Sequence, residues 1–199
     1  MKKAGKRIAL SSLIICSATC AEGQADKPIT GAVSPAGTYR VSQSGDDSVV
    51  VIERKSGRKV ATLEDANDER SNVDFECSWS PDGARLAVVM GYGTRGSSFT
   101  VYERDKSGAF RPVAWNKPNP RSYYKNIPDD AAEMYSIRKW LNGKTLSAVI
   151  GMYDISDVQN YFLDCQLVIE RGVVKNQKIT RLGTLNAAQT ASLLKTLMN

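Results

Sequence analysis

The residues that could carry chemistry fall into a few short arrangements, and none completes a catalytic set. The chain has no histidine, which removes His-based triads, Cys/His dyads, His zinc sites and histidine pH switching. A serine nucleophile would then need a Lys or Asp partner, and no serine in the chain is read as catalytic. Gly91-Tyr92-Gly93-Thr94-Arg95-Gly96 has dinucleotide-loop spacing. Pyrophosphate binding needs a helix N-terminus next, whereas Ser97-Ser98-Phe99-Thr100-Val101-Tyr102 reads as a strand, so a hairpin turn is expected. Asp65, Asn67, Glu69 and Ser71 offer oxygens at alternate positions. Arg70 stands where a calcium loop takes glycine, so this segment reads as a solvated acidic connector. Asp129-Asp130 has no second carboxylate cluster at a defined spacing. The reading is of a protein that is not an enzyme, with no cofactor and no metal.

Glu53-Arg54, Glu103-Arg104 and Glu170-Arg171 recur along the chain. Adjacent strand residues face opposite ways, so each pair is expected to shield a sheet edge rather than build a patch.

The elements that would position these residues follow a leader. Met1-Lys2-Lys3-Ala4-Gly5-Lys6-Arg7 is basic, Ile8 to Ala18 is mostly apolar, and Thr19-Cys20-Ala21 supplies small residues for cleavage. Residues 1–21 are therefore read as a secretory signal peptide of bacterial character, the apolar stretch being too short to span a membrane. Periplasmic or secreted localisation is expected, with lipid attachment at Cys20 as the alternative; Ser17-Ala18-Thr19 lacks the branched apolar residue of lipoprotein signals. The leader holds four of the 27 basic residues and none of the 21 acidic ones, so the remaining chain carries a net charge of +2. No nucleic-acid partner is expected from so small an excess. Of the four cysteines, Cys77 and Cys165 lie well beyond the leader. With no CxxC and no histidine beside them, a structural Cys77–Cys165 disulfide is expected in an oxidising compartment. An unlipidated Cys20 retained in the chain would leave an odd thiol.

One β unit is then repeated three times, over about 30–64, 74–115 and 134–183. The first copy has Pro35-Ala36-Gly37 before Thr38 to Val41, and later Val50-Val51-Ile52-Glu53-Arg54. In the second, Ser80-Pro81-Asp82-Gly83 precedes Leu86-Ala87, with Phe99 to Arg104 after it. The third has Asn142-Gly143 before Leu146, with Leu167 to Arg171 after it. Proline presets the first turn φ, Asp or Asn hydrogen-bonds its own backbone, and glycine takes positive φ. Leu86 to Met90 is a continuous apolar run, as expected of an inner strand buried on both faces.

Ser80-Pro81-Asp82-Gly83-Ala84-Arg85-Leu86-Ala87 resembles the repeat of TolB-like, WD40-like β-propellers, whose signature is Ser-Pro-Asp-Gly followed by Leu-Ala. The first copy departs at Ala36 and Arg40, and the third keeps only Asn142-Gly143 and Leu146. The resemblance implies a mainly β, propeller-like domain over 22–199, of a family that serves chiefly as binding platforms. Three units are fewer than the roughly four to eight that close a propeller. An open or irregular array of sheets is expected first. Closure around the C-terminal segment, or a homodimer of three and three, are the alternatives.

Residues 185–198 have helical apolar spacing, with Asn186 or Thr184 available as N-cap. A terminal helix covering a sheet edge or face is expected. The Pro- and Tyr-rich stretch holding Pro118, Pro120, Tyr123, Tyr124 and Pro128, and the loop from Gly151 to Asn160 with Tyr153, are the candidate partner-binding loops. The functional expectation is an exported, non-catalytic protein-binding module of the bacterial cell envelope. The alternatives are a ligand-binding or accessory domain related to periplasmic hydrolases, and a structural envelope lipoprotein.

Overall fold

The computed structural model of the chain describes residues 29, 32–43, 48–64, 74–92, 96–153, 159–186, 188–190 and 192–193. The signal peptide with Cys20, the Asp65 to Ser71 connector, positions 93–95 of the glycine motif, positions 154–158 of the second candidate loop and the end of the terminal helix lie outside the described residues.

The fold is mainly β, with three antiparallel sheets, none closed into a barrel. The first contains β1 (Tyr39–Gln43), β2 (Val49–Glu53) and β3 (Lys59–Glu64). The second contains β4 (Asp74–Trp79), β5 (Arg85–Gly91), β6 (Ser97–Arg104) and β7 (Phe110–Pro112). The third contains β8 (Ala132–Trp140), β9 (Thr145–Tyr153), β10 (Asn160–Glu170) and β11 (Val173–Leu185). Each sheet is a meander whose consecutive strands are neighbours. Tyr92 N–H donates to the Gly96 carbonyl at 2.8 Å and β6 follows, so the glycine motif joins two strands and opens no helix.

The sheets stack with the second in the middle, and β5 shows why. Its side chains alternate between faces, and all but the last residue are buried. Leu86 and Val88 join Val41, Val49 and Val51 of the first sheet in one apolar cluster. Ala87 and Val89 join Leu146, Ala148, Ile150, Leu163 and Leu167 of the third sheet in another. The apolar run at Leu86 to Met90 is thus an inner strand with a core on each side. Aromatic rings thicken both layers: Trp79 lies 5.6 Å from Phe110 and 6.2 Å from Tyr39 in one, and Phe99 stacks on Tyr135 at 5.9 Å in the other.

Two tryptophans tie the sheets by the same device. Trp79, the last residue of β4, donates its indole N–H to the Ala32 carbonyl of the first unit at 3.3 Å. Trp140, the last residue of β8, donates to the Ser78 carbonyl of the second at 3.0 Å. Each acceptor lies one residue before the position in its own unit that matches the donor. The sheets therefore stack with the same relative placement twice.

The two cysteines do not form the expected disulfide. Both are buried thiols, neither joined in a disulfide. Cys77 faces the cluster shared with the first sheet, whereas Cys165, on β10, faces the cluster between the second and third sheets. A disulfide needs Cβ atoms about 4 Å apart, and the two side chains occupy separate core layers on opposite sides of the middle sheet. Burial pushes each thiol up to about 12.

A short helix follows β11. Gln189 N–H donates to Asn186 Oδ1 at 2.9 Å, and Asn186 N–H donates to Gln189 Oε1 at 3.0 Å. This reciprocal capping box makes Asn186 the N-cap. Thr190 and Asn160, both buried, share a hydrogen bond of 3.1 Å. Leu193 packs against Val149 and Phe162 on the outer face of the third sheet, so the helix covers a sheet face. Among the described residues no helix is long and apolar enough to cross a membrane.

Candidate functional site

The turns that open the units converge at one end of the stack. Gly37 and Gly83 have φ of 67° and 65°, and their turns share the same bonds. Gly37 N–H donates to Ser34 O and Gly83 N–H to Ser80 O, each at 2.8 Å. Ser34 Oγ accepts from Tyr39 N–H at 3.0 Å, and Ser80 Oγ from Arg85 N–H at 2.8 Å. The third turn is one residue shorter, closing from Leu141 N–H to Thr145 O at 2.8 Å. Asn142 Oδ1 there accepts from the N–H groups of Lys144 and Thr145, and Gly143 needs no positive φ. Its hydrogen atom is needed for space: a Cβ on Gly143 would lie 2.5 Å from Asp82 Oδ2. The first turn also borders the second, since a Cβ on Gly83 would meet Pro35 Cδ at 3.9 Å.

Beside these turns, between the second and third sheets, is a cavity of about 600 Å³. Its floor is an ion pair between Arg85 at the start of β5 and Glu103 opposite it on β6. Arg85 is 7% exposed. Its Nη1 donates to the Gly143 carbonyl at 2.5 Å, and Glu103 Oε2 accepts from Gly172 N–H. Each member of the pair thus reaches from the middle sheet to a different turn of the third. Arg85 Nε is buried with no hydrogen-bond partner among the described residues. Buried charges persist when paired and bonded in this way.

The rim is strongly charged. Arg104, Lys106, Arg111, Lys144 and Arg171 are exposed around the opening, together with Asp105 and the half-buried Glu170. Lys144 Nζ sits 3.0 Å from Glu170 Oε1 and, with that hydrogen bond first, holds the Glu170 carboxyl below its usual range. Hydrogen bonds from Ser107 and Ala109 lower Asp105 in the same way, the Ser107 hydroxyl foremost. Arg104 leans toward the first sheet, with Nη1 3.2 Å from Tyr39 Oη and its guanidinium 5.6 Å from the ring centre. Among the described residues, the Lys106 and Arg171 side chains make no hydrogen bond or ion-pair contact, although the Arg171 charge also helps to lower Glu170.

Arg171 has an unusual backbone. It and Gly172 form the two-residue loop between β10 and β11, with φ of 54° and 74°. Such loops favour Asn or Gly at both places, and an arginine there costs about 1 kcal/mol. The loop is clamped to the middle sheet: Glu103 holds Gly172 N–H, and Ala114 N–H donates to Gly172 O at 2.8 Å. Val174 N–H then donates to Ala114 O at 2.9 Å.

The expected edge-shielding role of the Glu-Arg pairs is corrected here for the second and third. Glu103, Arg104, Glu170 and Arg171 surround one cavity, because stacking brings the ends of neighbouring sheets together. The recurrence is also out of register. Glu53 opposes Tyr39 and Glu103 opposes Arg85, but Val168 opposes Thr145, so Glu170-Arg171 sits two residues further along. Its repetition at strand ends beside glycine turns was the sequence signal for the site.

The loop tyrosines sit elsewhere. A 3-10 turn, Pro120–Ser122, precedes Tyr123 and Tyr124, which are half-buried against the core. Tyr124 Oη donates to the Phe162 carbonyl at 2.5 Å and accepts from Gly183 N–H at 3.2 Å. Tyr153 ends β9, half-buried, paired with Ala132 and Asn160. None of the three lines the charged cavity. No protein-family model matches the chain, and no curated protein matches it significantly.

Proposed function

We propose that this chain is an exported, non-catalytic protein-binding module of the bacterial cell envelope, a propeller-like stack of sheets that presents its charged end to another protein. The observation that carries this reading is the cavity beside the turns, with a stitched ion-pair floor and an exposed rim of mixed charge. Rigid sheets with charged groups at their ends suit recognition, because side chains are held in place before the partner arrives. The rim carboxylates Asp105 and Glu170 are kept ionised by their neighbours, whereas a general acid needs its proton held near the working pH.

The test is affinity capture from an envelope extract with the chain as bait, beside a Lys106→Glu/Arg111→Glu variant of equal thermal stability. A partner retained by the parent and lost by the variant is expected. Capture of the same proteins by both would overturn the reading, as would a saturable thermal shift with a glycan or other small molecule and no protein partner. Intact mass of the exported chain reads the leader directly. Cleavage after Ala21 is expected, and acyl chains on Cys20 would move the proposal to the lipid-anchored alternative.

A further inference from the structure

We infer that the cavity takes an acidic peptide segment of the partner, with Arg171 and Lys106 as its principal carboxylate contacts. This rests on the protein-binding reading above and specifies its chemistry.

The charge of the site points this way. Arg85 pairs with Glu103 and, at 3.7 Å, with Asp82, so the floor offers no uncommitted cation and the positive field at the mouth comes from the rim, with five cations and two carboxylates. Lys144 is engaged with Glu170 and Arg111 with Asp105, while Arg104 rests on the Tyr39 ring. That leaves the Lys106 ammonium and the Arg171 guanidinium, which acts on Glu170 through space without an ion-pair contact, for an incoming anion. The two carboxylates between the cations also discriminate. A polyphosphate chain, with a charge at every link, meets Asp105 and Glu170 at a repulsive cost. A peptide whose acidic side chains are separated by neutral residues can set its carboxylates against the cations and its N–H groups near Asp105 and Glu170.

Arg171 adds an independent observation. Its φ of 54° lies where Asn or Gly is preferred, so folding alone favours a different residue. The loop carrying it is held by Glu103 and Ala114, so the backbone from which the guanidinium projects is fixed. Strain retained in a clamped turn on a cavity rim is the pattern of a site whose residue is kept for contact rather than stability.

The experiment measures fluorescence anisotropy of a labelled peptide of alternating Glu and Ser with the purified chain, beside a Gln/Ser peptide and an oligothymidylate. Arg171→Asn is expected to raise Tm by about 3 °C and to weaken the Glu/Ser peptide about fivefold, the effect of one rim ion pair. Lys106→Gln is expected to weaken it similarly, and Lys178→Gln, on the exposed part of β11, to leave it unchanged. Equal binding of the Gln/Ser peptide, tighter binding of the oligothymidylate, or an Arg171→Asn protein that binds as the parent does would overturn the inference. If an envelope partner is captured by the parent while Arg171→Asn binds the Glu/Ser peptide as tightly as the parent does, the protein-binding reading stands and this placement of the acidic segment fails. If the acidic peptide binds as expected but no protein is captured, the site chemistry stands and the protein-binding reading fails.

Discussion

The carboxylate of Asp82 occupies the space that a side chain on Gly143 would need: a Cβ there would lie 2.5 Å from Asp82 Oδ2. Two turns from different sheets interlock at this point. Gly143→Ala must displace a carboxylate held by the Ser80 hydroxyl at 2.6 Å and by Ala84 N–H at 3.0 Å. Asp82→Ala loses those bonds but opens the space. The double variant is therefore expected to be more stable than the sum of the singles predicts by about 1 kcal/mol. Gly83→Ala, which costs about 1 kcal/mol through its positive φ, is expected to add independently to Gly143→Ala. Urea denaturation of the set checks both, and strict additivity throughout would show that the turns do not touch.

Arg85 and Glu103 hold the middle and third sheets together through Gly143 and Gly172. Removing either partner strands a charge in the floor, and Arg85→Ala or Glu103→Ala is expected to cost about 3 kcal/mol. Arg104→Ala, on the exposed rim, is expected to cost under about 1 kcal/mol. Similar losses for all three variants in chemical denaturation would mean that the floor pair carries no special weight.

The thiols of Cys77 and Cys165 lie in separate core layers, with burial raising both to about 12. Iodoacetamide at pH 8 is expected to leave both untouched in the folded chain, since the thiolate is the reactive form. Denaturation without reductant should then allow both to be alkylated, each adding one adduct by mass. A requirement for reductant would restore the disulfide.

Glu76 on β4 is raised above its ordinary value by burial, although the Ile137 N–H that it accepts pulls the other way. A carboxyl raised on folding favours the folded state while protonated, and that contribution fades as pH climbs from about the reference value of 4.5 through the folded pKa. Glu76→Gln stays neutral throughout. Its Tm is expected to match the parent near pH 4 and to exceed it increasingly toward pH 7. The lowered groups Asp82, Asp105 and Glu170 are common to both proteins and cancel in the comparison. A gap that is constant or reversed would assign Glu76 a different environment.

Local chemistry carried much of the fold. Pro35 to Gly37 and Pro81 to Gly83 are legible as turns because glycine alone takes their φ at no cost, and the apolar run of β5 announces burial on both faces. The apolar spacing over 185–198 announces a terminal helix with Asn186 or Thr184 as its start, and the reciprocal bonds between Asn186 and Gln189 decide for Asn186. These signals act between near neighbours in the chain. Which way Cys77 and Cys165 face, why Gly143 lacks a side chain, and that Glu103 and Arg171 share a cavity depend on how whole sheets stack. That placement is set by the summed packing of two apolar layers and by indole–carbonyl bonds such as Trp140 to Ser78. Residues far apart in the chain meet only after those layers form, so no short window of sequence contains the contact.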